Sequence, residues 1–145
     1  MEKILEECEN ERWKPKPSEE YYCVDDDSAV RRIKFNIMSD YDRDRIRTYN
    51  CFQTREQAEQ EAEKILVRRM LEDIARRLNK GNKINWESAS PRKYHLCIDK
   101  CDYIYSNVCY STKYQGTVYC LDENFKDAAI QEIGEERLKK YLRGE

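Results

Sequence analysis

The sequence predicts an α+β fold, and three observations predict it. One long amphipathic helical pattern fills the middle of the chain. Short runs of alternating apolar and polar residues, rich in tyrosine, lie on either side of it. The order strand, turn, strand, short strand, capped helix occurs twice. YCVDDD at Tyr22 matches LCIDKC at Leu96, and NCFQT before the long helix matches VYCLD before the last one. Two such halves are expected to lay strands into a shared small antiparallel sheet, with the long central helix and a C-terminal helix packed on one face.

The chain has 145 residues, 39% charged and 39% hydrophobic, with 11 Tyr, 3 Phe and 2 Trp. Those aromatics can build a core, which separates it from a disordered polar chain. The expected organisation is an N-terminal helical extension over residues 1–12 and a single α+β domain over 13–145. A net charge of -2 provides no strong field for nucleic acid and is too small to imitate DNA in bulk. No apolar run approaches the roughly 20 residues of a membrane span, and no signal peptide opens the chain. A cytosolic setting is expected, in which 7 cysteines stay reduced or bind metal rather than form disulfides.

The elements follow in order. Met1 to Glu11 has Ile4, Leu5 and Cys8 at helical spacing. Trp13-Lys14-Pro15-Lys16-Pro17 is an extended linker, since two prolines forbid helix. Tyr21 to Val24 is a strand and Asp25-Asp26-Asp27-Ser28 a turn. Ala29 to Ile37 alternates Val30, Ile33, Phe35 and Ile37 with basic residues, as a partner strand does. Ser39 to Arg47 reads as a polar loop and Tyr49 to Phe52 as a brief strand. Thr54 with Gln57 forms a capping box that opens the long helix, and Gly81 ends it. Its stripe comprises Ala58, Ala62, Ile65, Leu66, Met70, Leu71, Ile74 and Leu78. Glutamates lie in its first half and arginines in its second, matching the helix dipole. After a polar connector, strands are expected at Tyr94 to Ile98, Tyr103 to Thr112 and Thr117 to Leu121. The last two are expected to join in a hairpin at Gln115-Gly116. Asp122 is expected to cap a helix over Phe125, Ala129, Ile130 and Ile133. Gly134 breaks it before a final turn or two around Leu138, Tyr141 and Leu142.

WKPK at Trp13, then N-x-F-x-T-x-E-x-A-E from Asn50, then IQEIGEERLKKYL from Ile130 resemble a family of small proteins carried by phages and prophages of Firmicutes. The resemblance spans nearly everything after the first dozen residues, and its motifs are caps and core positions. Family members sit in genetic settings like those of anti-defence genes, and proteins of this kind include anti-CRISPR inhibitors. The resemblance implies a non-catalytic inhibitor that binds a type II RNA-guided CRISPR nuclease in the host bacterial cytoplasm. There it would block guide or target DNA loading or activation. The family pattern has aromatic or aliphatic residues where this chain has Cys97, Cys109 and Cys120, so no family metal site carries over.

The residues themselves supply no catalytic motif. There is no phosphate-binding Gly loop, no nucleophile elbow and no zinc-protease helix, with 4 Gly and 1 His in the chain. The roles of nucleophile, base and oxyanion donor cannot be filled. Two readings of the cysteines stand side by side. His95, Cys97 and Cys101 put three soft ligands in seven residues. If Cys109 and Cys120 face each other across a hairpin, four of these five side chains could hold a structural Zn²⁺. Otherwise the cysteines are small hydrophobes packing a sheet.

The candidate partner surface is likewise double. Tyr103 and Tyr105 offer area and a hydroxyl to a protein partner, or fill core and ordinary surface. Asp25, Asp26 and Asp27 with Asp40, Asp42 and Asp44 face a basic nucleic-acid channel on a partner, or form a solvated turn and loop. Arg68, Arg69, Arg76 and Arg77 on the long helix could conversely contact phosphates, but the interspersed glutamates and the negative overall balance argue against it. Three classes therefore remain: nuclease inhibitor, zinc-stabilised interaction module, and direct nucleic-acid binder.

Overall fold

The computed structural model describes residues 12–145. The helical extension expected over residues 1–12 therefore lies, apart from Arg12, outside the described residues. The chain divides into two compact units, 1–63 and 64–145. Each builds its own antiparallel ribbon, so strand pairing stays within each half and no shared sheet forms. The α+β class holds: four helices accompany two two-stranded sheets among the described residues.

In the first unit, β1 (Glu20–Val24) pairs with β2 (Val30–Lys34), Tyr21 opposite Ile33 and Val24 opposite Val30. The turn between them closes with Ser28 in the left-handed region, at φ 64°. Tyr21 and Cys23 point to one side, as a period of two requires, and form a small core with Phe35, flanked by Trp13, Ile33, Ile46 and Cys51. The stretch expected to be a loop is a helix, α1 (Asp40–Arg47). Its sequence shows no apolar stripe, but Ser39 accepts a hydrogen bond from the Asp42 amide as N-cap. Acidic residues occupy the first turn and basic ones the last. The brief strand at Tyr49 to Phe52 reduces to one bridge, Phe52 to Tyr22. Beside it, the Asn50 side-chain amide accepts from the Val24 N–H and donates to the Val24 carbonyl, both at 2.8 Å. It thereby imitates a further strand residue.

The long helix α2 (Arg55–Asn79) opens on the expected capping box. The Thr54 N–H reaches Gln57 Oε1 at 3.3 Å, and the Gln57 N–H reaches Thr54 Oγ1 at 3.2 Å. Lys80 and Gly81 both turn left-handed and end it. Its buried stripe is shifted from the expected one: Val67 and Ala75 are buried, while Leu66 is exposed.

In the second unit, β3 (Lys93–Ile98) pairs with β4 (Ile104–Cys109), His95 opposite Asn107 and Cys97 opposite Tyr105. The expected third strand contributes one bridge, and it lies on the other side of β3: Cys120 pairs with Tyr94. Gly116 does turn the chain at φ 81°, but the turn does not make a hairpin with β4. α3 (Phe125–Ile133) and α4 (Glu135–Arg143) meet at Gly134, whose φ of 97° and ψ of 141° no other residue type adopts readily. Asp122 precedes the cap rather than forming it; Asn124 holds the N-cap position. Val67, Leu71, Ile74, Leu96, Cys120, Phe125, Ala129, Ile133 and Leu138 make the core of this unit. Fully burying a side chain of the Leu, Ile or Phe type is worth roughly 1.5–3 kcal/mol, so this cluster dominates the unit's stability.

The two ribbons repeat one plan. Each has a hairpin whose first strand is bridged on its outer side by a residue just before a helix: Phe52 on Tyr22, and Cys120 on Tyr94. Aligned on hairpin ends, Val24 with Ile98, the bridge has slipped by two residues between the halves. A slip of two keeps every side chain on its own face.

Candidate functional site

The residues singled out from the sequence fall into three places. The aspartates of the first unit do not form one open acidic face. Asp42 is buried, with 3% exposure. Its Oδ1 accepts from the Tyr21 hydroxyl and, at 3.2 Å, from Arg45; its Oδ2 accepts from the Asn36 N–H at 2.9 Å. It is a structural group and is withdrawn from the partner surface. The helix that replaces the expected loop explains why. One turn of helix sets Asp42 beside Arg45 and aims it at β1, where no solvated loop would hold it.

Asp40 pairs with Arg43, and Asp44 with Arg47 at 3.3 Å. Asp25 pairs with Arg31, which also reaches Asp27 at 3.8 Å. Asp26 is exposed. The α1 aspartates are thus matched by arginines three positions on, and Asp25 and Asp27 by Arg31, so the field of the run is short-ranged. Three of the four α2 arginines named above are matched as well: Arg68 with Glu72, Arg76 with Asp73, and Arg77 with Asp73 and Glu132, while Arg69 is exposed.

The five soft ligands of the second unit do not converge. The register puts Lys93, His95 and Cys97 on one face of β3, with Tyr105, Asn107 and Cys109 across from them on β4. Tyr94, Leu96 and Ile98 take the other face with Cys120, which is buried in the helical core. Cys109 and Cys120 therefore lie on opposite faces, because the 117–121 segment adds to β3 rather than to β4. Cys101 is exposed in the turn, its amide bonded to Asp99 Oδ1 at 2.9 Å. Among the described residues no three His, Cys, Asp or Glu side chains are grouped as a metal ion requires. Cys109 also has Lys93 directly across from it. That lysine is fully buried, its ammonium donating to the Ser88 carbonyl at 2.6 Å and to the Tyr110 carbonyl.

His95 and Cys97 do adjoin, with Nδ1 3.5 Å from Sγ. His95 is buried against the Tyr119 ring at 5.3 Å and the Tyr114 ring at 6.1 Å, and its Nε2 has no hydrogen-bond partner. Burial lowers its pKa, so the ring is neutral at pH 7. Burial likewise raises the Cys109 and Cys120 thiols, which favours their protonated form. The Cys97 sulfur raises the Tyr105 phenol, which faces it across the ribbon.

Along β4 the exposed side chains are uncharged, and the largest of them is aromatic. Tyr103 is 68% exposed and Tyr105 43%, on the His95 face of the ribbon, with Tyr114 at 55% beside the imidazole. Tyr119 goes the other way: it is buried, stacked edge-on against Trp86 at 4.6 Å, with its hydroxyl accepting from the Tyr114 N–H at 2.6 Å. An open cleft of about 480 Å³ flanks it, lined by Trp86, Tyr119, Asn79, Arg76, Glu72 and Lys83. It gathers no nucleophile with a base. The supports of this region, Lys93 and Trp86, leave no periodic trace in the sequence. Their signal is a lone lysine opening an otherwise apolar strand.

No helix of the described residues is long and apolar enough to cross a membrane. Comparison with protein-family models, with curated proteins and with solved structures finds no match to this chain.

Proposed function

We propose that the protein is a non-catalytic binding module that docks on a protein partner through the tyrosine face of the β3–β4 ribbon. The partner implied by the sequence resemblance is a type II RNA-guided CRISPR nuclease of the bacterial host, whose loading or activation the bound module would block in the cytoplasm. The observation that carries the reading is the exposure of Tyr105 on β4 and of Tyr103 and Tyr114 in the segments flanking it, none of them part of the unit's core. Rigid aromatic side chains with few rotatable bonds are the usual anchors of protein interfaces. Pairing of the aspartates and of the α2 arginines turns the reading away from a charge-driven contact with nucleic acid.

The test is a target-cleavage assay with nucleases of this class from several Firmicutes. The protein is added before or after guide RNA and target DNA. Inhibition is expected when it precedes target DNA. The Tyr103→Ala/Tyr105→Ala double variant should lose about 2 kcal/mol or more of binding while keeping the wild-type unfolding midpoint. No inhibition in either order, or inhibition untouched by the folded double variant, overturns the reading. Salt-sensitive retention on DNA alone would replace it with a nucleic-acid-binding role.

A further inference from the structure

The two halves carry the same ribbon but guard its outer edge differently. In the first unit that edge is β2, whose exposed residues include Arg31, Arg32 and Lys34. Cations along an edge strand keep other strands from pairing with it. In the second unit the edge is β4, since β3 lies between β4 and the Cys120 bridge. From Tyr103 to Thr112 there is no charge, no proline and no glycine, in a chain that is 39% charged. The register runs without a bulge from Cys109 to Ile104. Charge, proline and bulge, three ordinary protections of an edge, are absent from it.

The backbone groups on that edge can be identified. Tyr94 exchanges both of its hydrogen bonds with Cys120, at 2.7 and 2.9 Å, so its amide and carbonyl point away from β4. The Tyr94–Val108 pair is therefore of the non-hydrogen-bonded kind, and alternation makes Leu96–Ser106 and Ile98–Ile104 the same. In such pairs the β4 member also aims its N–H and C=O outward. Ile104, Ser106 and Val108 thus present three donors and three acceptors along one line. No backbone group of the described residues meets them.

We infer that this edge pairs with the same edge of a second copy of the chain, β4 on β4, antiparallel about a twofold axis at Ser106. An antiparallel pair of identical strands is self-complementary, and it closes at two copies. This register sets Ile104 against Val108 of the second copy and Ser106 against Ser106, so every open group named above finds a partner. No like charges meet along the strands. The two ribbons become one four-stranded sheet. The inference does not depend on the tyrosine-docking reading.

Sedimentation equilibrium of the full chain over a concentration series tests it, with two variants beside the wild type. Ser106→Pro removes an outward N–H that β3 does not use, and proline is tolerated on an edge. Asn107→Lys places at an exposed β4 position the kind of cation that β2 carries. Circular dichroism establishes that each variant is folded; should Ser106→Pro unfold, Asn107→Lys decides. The expected result is a reversible monomer–dimer equilibrium, weakened at least about tenfold by each folded variant and unchanged by Arg32→Ser on β2. A wild type that stays monomeric throughout overturns the inference. So does a dimer that neither folded variant weakens, or open-ended association without a dimer.

Discussion

The Tyr21 hydroxyl donates a hydrogen bond to the Asp42 carboxylate, joining the one fully buried tyrosine of β1 to the one buried acid of α1. Arg45 donates to both oxygens, to Asp42 at 3.2 Å and to the Tyr21 hydroxyl at 3.3 Å. The Asn36 amide and the Ser39 cap complete the set. An eight-residue helix with no apolar stripe holds its place on β1 through this network and the packing of Ile46 on the Tyr21 core.

Asp42 should therefore behave unlike its neighbours. Asp42→Ala leaves Arg45 and the Tyr21 hydroxyl without their acceptor, at a cost of about 3 kcal/mol or more. Asp40→Ala and Asp44→Ala break exposed pairs one turn apart and should stay within about 0.5 kcal/mol. Urea unfolding of the three variants separates them. Equal effects at all three positions would refute the buried network.

Tyr21 has its phenol pushed well above the ordinary 10.0 of a tyrosine, first by burial and then by its bond to Asp42. A raised folded-state pKa stabilises fully below the unfolded value, and that stability is lost as pH climbs past it. The unfolded chain gains by ionising while the folded phenol resists. Alkaline ultraviolet titration should show one tyrosine that ionises only with unfolding. In Tyr21→Phe that late step should vanish, and stability near neutral pH should fall by about 1–3 kcal/mol from the weakened network.

His95 gives the opposite window. It is the sole histidine, so one imidazole signal reports on it in a proton NMR titration. Its pKa is lowered from 6.5 by burial alone. The neutral ring is favoured in the fold. The stability it contributes is present above pH 6.5 and is lost as pH falls from there through the folded-state value, because the unfolded chain binds the proton first. Wild type should lose stability between that pH and the onset of carboxylate titration, and His95→Gln should lose less. An imidazole titrating at or above pH 6.5 would contradict its burial.

Gly134 joins α3 to α4 with φ 97° and ψ 141°. A Cβ added there would meet nothing within 4 Å, so the cost of Gly134→Ala is backbone strain alone. We expect a loss of about 1–3 kcal/mol, visible as a lower thermal midpoint. Gly116→Ala, also at positive φ but in an exposed turn, makes a useful comparison.

The sequence by itself determined the elements whose signals are local. The Thr54–Gln57 box, the left-handed stop at Lys80–Gly81, the break at Gly134 and the first hairpin, around Asp25–Ser28, all rest on residues within a few positions of one another. The duplication was legible too, and the structure keeps it, down to the Phe52 and Cys120 bridges. A period of two puts His95 with Cys97 on one face of β3 and Leu96 with Ile98 on the other. What only the tertiary structure decided was pairing between distant segments. Whether residues 117–121 add to β4 or to β3 leaves no local trace, yet it sends Cys109 and Cys120 to opposite faces and dissolves the five-ligand cluster. Asp42 looks like Asp40 and Asp44 in the sequence, and only packing against Tyr21, 21 positions away, makes it a buried group. Local chemistry selects an element, whereas the energy that seats it comes from burial and hydrogen bonds between residues far apart in the chain.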